Sequence, residues 1–306
     1  MARYPRLGHY RDGAPFIGNQ MSSGDSVKFS IECRGDIDSA QGLLSAIFTL
    51  RELDQTSDHK FWYRGLYDCE FKLKPSVGRK QRYAGQCLIL SPDQERWLLH
   101  RFRRRAYPYI GRAMTAGEAI FIARHHGLPT RLLDWTANPL FALYFACNSN
   151  RAEDQEKAGT IWAMHRREGT EDQDLDAFRL ARCKDEPKLF DYLATDGGKA
   201  REPSDAIRIV YPFYNSPRLL AQDGAFTMHS NPWRSIESYE CKPFKTRNLD
   251  IERLYRWAVP ADKKVNIVKE LSNLGITQRL LFPDLDGVAR SLWETEVLWK
   301  GKASIK

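Results

Sequence analysis

Two short stretches hold the residues best suited to chemistry. In FWYRGL, Arg64 stands between an aromatic run and Gly65. An arginine beside a residue that admits close backbone approach suits a phosphate or a ribose, which its planar fork of donors can clamp. A buried carboxylate would satisfy the same guanidinium equally well. The second stretch, HHGLPTRLLDWTANPLFALYFAC at 125–147, puts His125, His126, Arg131, Asp134, Trp135 and Thr136 directly ahead of an apolar run. Pro129 stiffens the approach, and the histidines fall where a helix would end and its carbonyls would favour a cation. Arg131 and Asp134 can also pair with each other, and Trp135 can serve as core. Two adjacent histidines are too few ligands for zinc. Glu95, Glu294 and Glu296 are further carboxylates that could do acid, base or charge-stabilising work.

The familiar nucleotide, metalloprotease and serine-hydrolase signatures (G-x-G-x-x-G, G-x-x-x-x-G-K-[ST], H-E-x-x-H, G-x-S-x-G) do not occur. Six cysteines without a C-x-x-C spacing argue against a zinc knuckle or a disulfide framework, and for reduced thiols in a cytoplasm. No run approaches the ~20 apolar residues of a membrane span, and the start lacks the apolar stretch of a secretion signal.

Helices and strands interleave around these motifs. The pattern predicts a helix over DSAQGLLSAIFTLREL with Ser39 as cap. A second helix follows over SPDQERWLLHRFRRRA, opened by a Ser91–Gln94 capping box, and a third over TAGEAIFIARHHG, opened by Thr115–Glu118. NPLFALYFACN reads as a helix, and ADKKVNIVKELSNLG as one with Val265, Val268, Leu271 and Leu274 inward. VKFSIEC, KFWYRGL, GTIWAMHR, AIRIVYPF, GAFTMHS and DIERLYRWAVP read as strands, and the charged 165–205 stretch as a helix or two with exposed loop. Irregular interleaving predicts an α+β fold, with residues 1–28 an irregular lead-in and 29–306 a single domain.

FWYRG, the 125–147 stretch, PRLLAQDGAFTMH and GITQRLLFPDLDGVA together resemble the FRG domain of bacterial and phage proteins, over residues 39–292. That family is named for its (F/Y)RG tripeptide, and its middle motif reads close to Q-H-x-G-x-P-T-R-L-L-D-W-T-x-N-P-L-x-A-L-Y-F-A. This chain departs from it at His125, where the family often has glutamine.

More distantly, WYRG, LLDWT and ALYFA resemble the arginine strand, polar strand and following helix of mono-ADP-ribosyltransferases. That resemblance implies a split β-sheet core with flanking helices. It also implies NAD as substrate, bound through Arg64, Gly65, His126, Arg131, Trp135, Thr136, Tyr144 and Gln222, with Phe145 behind Tyr144 and no metal. Asp134, Arg64 and Glu296 are then the candidate catalytic residues. Breaking the nicotinamide–ribose bond needs a fixed diphosphate, an aromatic against the nicotinamide, and a carboxylate near the oxocarbenium-like sugar. The class's third element, a Q/E-x-E strand, fits poorly. Gln222 is followed by Gly224 where a glutamate would stand, while the E-x-E of Glu294 and Glu296 lies beyond the matching stretch.

Lysine and arginine number 47 against 39 acidic residues, a formal charge of +8, which favours an anionic partner. Arg101, Arg103, Arg104, Arg105 and Arg112 interleave with Phe102, Tyr107 and Tyr109, a pattern suited to phosphates and stacked bases. A solvated helix face gives the same pattern. The expected acceptor is therefore a nucleic acid, RNA before DNA. The resemblance adds a toxin-type role in antiphage defence and a possible antitoxin partner. The competing expectation is a module that binds a nucleotide or nucleic acid without catalysis.

Overall fold

The structure, a computed structural model, describes residues 27–53, 61–83, 86–148, 156–166, 175–176, 184, 206–212, 217–239, 243–244, 251–294 and 296. Most of the charged 165–205 stretch lies outside these residues, as does most of the N-terminal lead-in.

The chain opens with β1 (Val27–Lys28) and β2 (Ser30–Asp36). Helix α1 (Ala40–Leu53) follows, its Gly42 amide donating to Ser39 Oγ at 3.1 Å. Strand β3 (Trp62–Leu66) carries Arg64, and the small hairpin β4 (Gln81–Tyr83) and β5 (Gln86–Leu88) comes next. Helix α2 (Pro92–Ile110) and helix α3 (Ala116–His125) both begin with the capping boxes legible in the sequence. Helix α2 runs a turn past its expected end at Ala106. It continues through Pro108 and stops at Gly111, whose φ of 75° favours glycine and whose amide bonds Tyr107 O at 2.9 Å.

Strand β6 (Leu132–Thr136) and helix α4 (Pro139–Cys147) complete the central motif. Then come β7 (Gly159–Arg166), β8 (Leu175–Asp176), β9 (Ile207–Tyr211), helix α5 (Pro217–Ala221), β10 (Gly224–His229) and β11 (Pro243–Phe244). Strand β12 (Ile251–Val259) leads into helices α6 (Lys264–Asn273), α7 (Gln278–Leu281) and α8 (Leu285–Trp293).

Among the described residues, eight strands form one sheet in the order β2-β12-β7-β3-β6-β10-β9-β8. The β12–β2 and β8–β9 pairs are parallel and the others antiparallel, so the fold is α+β with a mixed sheet. Side chains alternate across a strand and cross-strand partners share a face. Tyr63 partners Thr136, so Tyr63 and the Leu132–Asp134–Thr136 series point the same way. On that face Leu43, Ile47, Leu143, Ile267 and Leu271 pack around Tyr63, while Ile120 and Phe121 pack on Leu132 and Phe226. The opposite face buries Trp62, Leu133, Trp135, Trp162 and Ile209.

The inward face of α6 follows the sequence expectation in part. Leu271 is buried and Val268 packs partly buried against the core, but Val265 and Leu274 are exposed, and Lys264 and Ile267 are buried instead. The chain turns through a short 3-10 segment at Ala261–Lys263 before the α-helix begins. The Lys264 stem is buried while its Nζ donates to Tyr67 O at 2.6 Å, which sets the helix on that side.

Candidate functional site

Strands β3 and β6 are neighbours joined by one pair, Tyr63–Thr136. Continuing that register would set Asp134 opposite Gly65, but the strands part before they reach it. The Arg64 guanidinium bridges the gap instead. Its Nη1 donates to Asp134 O at 2.6 Å and lies 3.5 Å from Asp134 Oδ2. From the last turn of α3, Arg124 grips the same carboxylate: Nε donates to Oδ1 at 3.0 Å and Nη2 donates to Oδ2. Arg124 Nη1 also donates to Ser76 Oγ at 3.2 Å, and Ser76 Oγ in turn accepts from Thr130 N. Arg79 completes the group, with Nε donating to Lys74 O at 2.8 Å and its guanidinium over the Phe71 ring.

The electrostatics register an excess of positive charge. Burial would raise the Asp134 carboxyl, but Arg124 and then Arg64 hold it well below the usual carboxylate range. Burial lowers Arg64 to about 10; Asp134 opposes that shift, and the like charges of Arg79 and Arg124 add to it. Arg79 is lowered by burial and then by Arg124. Arg124, closest to the carboxylate, is raised by it. Arg64 Nε is buried and has no hydrogen-bond partner among the described residues. Two guanidiniums thus share one carboxylate, with the like charge of Arg79 felt beside them and a donor left over, an arrangement that can accept a multivalent anion.

Several residues expected at a ligand pocket are part of the framework instead. Arg131 does not pair with Asp134. It is buried and forms a two-pronged ion pair with buried Glu95, Nε to Oε1 at 3.0 Å and Nη2 to Oε2 at 2.7 Å. Arg131 stands just before β6 and is taken by Glu95 of α2, while the Asp134 carboxylate inside the strand is taken by Arg124 of α3. Trp135 is core, its Nε1 donating to Thr227 Oγ1 at 3.0 Å, so it offers no stacking surface. The close approach at Gly65 is made by α4 and not by a ligand, because a Cβ there would lie 1.8 Å from Ala142 O. Thr136 is buried and donates to Gln222 O at 2.6 Å, and Gln222 Nε2 donates to Leu281 O. His126 ends α3 on the surface, edge-on to His125.

Tyr144 lies elsewhere. Ala142 and Ala146 face Gly65, and Tyr144, about half a turn of α4 away, points toward α7 and α8. Its hydroxyl is within 2.7 Å of Gln278 Oε1 and 3.1 Å of Glu294 Oε1, and Asn148 Nδ2 donates to Glu294 Oε1 at 2.8 Å. Burial and then the Glu294 charge push the phenol far above its ordinary value. A cavity of about 310 Å3 opens beside this group, bordered by Phe145, Phe282, Asp284 and Arg290. Glu294 meets Tyr144, whereas Glu296 is exposed beyond α8. The structure therefore does not bring Tyr144 or Glu296 to Arg64.

Sequence reasoning missed Arg124, Arg79 and Ser76. Arg124 stands directly before the histidine pair, one residue from the end of α3, which was the available signal. Ser76 opens a single 3-10 turn, Ser76–Gly78, and Arg79 ends it, a segment too short for periodicity to place them.

The FRG domain model matches residues 59–155, which include Arg64, Arg79, Glu95, Arg124, Arg131 and Asp134. The chain therefore carries an FRG domain, over a narrower span than the resemblance at 39–292. No curated protein and no solved structure matches the chain.

Proposed function

We propose that this FRG-domain protein takes NAD as a substrate and transfers its ADP-ribose to a nucleic acid, RNA before DNA, as a toxin-type effector. One observation carries the reading: Arg64 and Arg124 hold one carboxylate where β3 and β6 part, and the charge of Arg79 bears on both guanidiniums. Cations outnumber the carboxylate at this gap, which suits the negative charge of a dinucleotide's diphosphate. The flanking elements, an arginine strand, a polar strand and an apolar helix, follow the order that resembles mono-ADP-ribosyltransferases.

In this reading Arg64 and Arg79 take the diphosphate. Asp134 spaces the guanidiniums. As phosphate oxygens draw on Arg64, Asp134 becomes the negative group available to an oxocarbenium-like ribose. The test is incubation with NAD labelled in the adenylate half, with and without RNA. The expected result is nicotinamide release with label on the RNA. Arg64→Gln removes a charged hydrogen bond of about 1.5–3 kcal/mol and weakens NAD binding about ten- to a hundredfold. Absence of both nicotinamide release and label transfer refutes the transfer reaction.

The engagement of Asp134 by two arginines favours a second reading, a nucleotide-binding module without chemistry. Calorimetric binding of NAD that depends on Arg64 and Arg124, with no turnover, selects it.

A further inference from the structure

Helix α2 divides sharply into two faces. Glu95, Leu99 and Ala106 are buried, with Phe102 partly buried among them, on the side that packs against α3. Trp97, His100, Arg101, Arg104 and Tyr107 follow one another at helical spacing on the outer side. Trp97 is 57 % exposed, Tyr107 54 % and, at the helix end, Tyr109 89 %. Rings of that size left in water contrast with the burial of Trp62, Trp135, Trp162 and Trp257 in the same chain.

The charge on this face is of one sign. From Arg96 to Arg112 the chain has no acidic residue. Arg101 sits over the Trp97 ring with its guanidinium carbon 5.3 Å from the centroid, and His100 meets the same ring edge-on. Arg104 and Arg105 are exposed and make no hydrogen bond or ion pair among the described residues. Arg103, by contrast, is turned inward, with Nε and Nη2 both donating to Met114 O. The outer cations are therefore available to a ligand, and the aromatics lie between them.

We propose that the outer face of α2 binds a single-stranded nucleic acid, with Trp97 and Tyr107 stacking on bases and Arg101, Arg104 and Arg105 contacting phosphates. Trp97 and Tyr107 are ten residues apart, so the stripe is about 15 Å long. That length accommodates about four stacked nucleotides at 3.4 Å each. A duplex hides its base faces and leaves the rings without a partner, and an acidic peptide supplies the charge but no planar groups to stack. The inference deepens the proposed function by naming where an acceptor strand docks, and it relies on that reading only for calling the strand an acceptor.

The test is binding of the full chain, without NAD, to a fluorescent single-stranded RNA of about ten nucleotides, followed by anisotropy across about 50–200 mM salt. The expected result is binding accompanied by quenching of tryptophan fluorescence. Trp97→Ala weakens it about tenfold, and the Arg104→Gln, Arg105→Gln double variant reduces the logarithmic salt slope by about 1.4. These residues are exposed, and an unchanged circular dichroism spectrum confirms that the variants fold. No binding at low salt, affinity and slope unchanged in both variants, or displacement of the RNA by polyglutamate at equal charge each overturns the proposal. Because NAD is left out, failure here leaves nicotinamide release untouched, and failure of nicotinamide release leaves this binding to be measured as before.

Discussion

Glu95→Leu is expected to destabilise the protein severely, although Glu95 touches no part of the arginine cluster. The Glu95 and Arg131 side chains are 3 % and 5 % exposed, and two hydrogen bonds of 3.0 and 2.7 Å join them. Arg131 Nη1 also donates to the carbonyls of His229 at 3.4 Å and Ser230 at 3.2 Å. With Glu95 gone, a buried guanidinium keeps its charge and loses its counter-ion, and those carbonyls cannot neutralise it. Breaking one side of such a pair costs about 3–5 kcal/mol. Removing both charges, as in Glu95→Leu with Arg131→Met, removes that buried pair, and the change is close to neutral. The double variant is therefore more stable than the Glu95→Leu single, and a double-mutant cycle read by urea denaturation gives a coupling of about 2 kcal/mol or more. A single variant that loses less than about 1 kcal/mol refutes this account. So does an Arg131→Met variant that keeps its denaturation midpoint but loses nucleotide affinity, because Arg131 then serves a ligand and not the fold.

Two further outcomes follow from buried groups. Burial, and then the charges of Arg131 and Arg64, lower His229 to about 3. Below pH ~6.5 the unfolded chain takes up a proton that the folded chain refuses until about pH 3, so this residue removes stability as pH falls through that window. His229→Gln flattens the stability profile there by about 1.4 kcal/mol per pH unit, read as urea midpoints from neutral pH to pH ~4; profiles of equal slope contradict it. Gly65→Ala forces a methyl to within 1.8 Å of Ala142 O, a backbone atom that cannot swing aside, and costs about 3 kcal/mol by thermal melting. An unchanged melting temperature rules out the close packing of α4 on β3.

Local signals were the most legible part of the chain. Ser91 with Gln94 and Thr115 with Glu118 state their helix starts outright, because a capping box needs only residues three apart. Strands such as 159–166 and 224–229 could be read from apolar runs because they are buried along their length. The pairing of charges could not be read that way. Arg131 and Asp134 are three residues apart, close enough to suggest a partnership, yet each is claimed by a different helix. Their true partners lie 36 residues away at Glu95 and 10 away at Arg124. The inward face of α6 was only half legible, Val268 and Leu271 against Val265 and Leu274, for a related reason. Which stripe turns inward depends on the helix before it and on Lys264 reaching Tyr67, neither of which periodicity encodes.

Gly65 also sets a position. Ala142 O and Ala146 N both press on the point where its side chain would be, and Gly159 on neighbouring β7 makes the same kind of contact with Ala146 O. Helix α4 is thus keyed into the sheet by backbone meeting backbone at two notches. A slip of one residue along β3 would bring the Cβ of Arg64 or Leu66 against the helix, so the strand has a single setting. The glycine of the WYRG stretch therefore works as an index mark: by fixing how far β3 can slide, it fixes the height at which the adjacent arginine enters the gap.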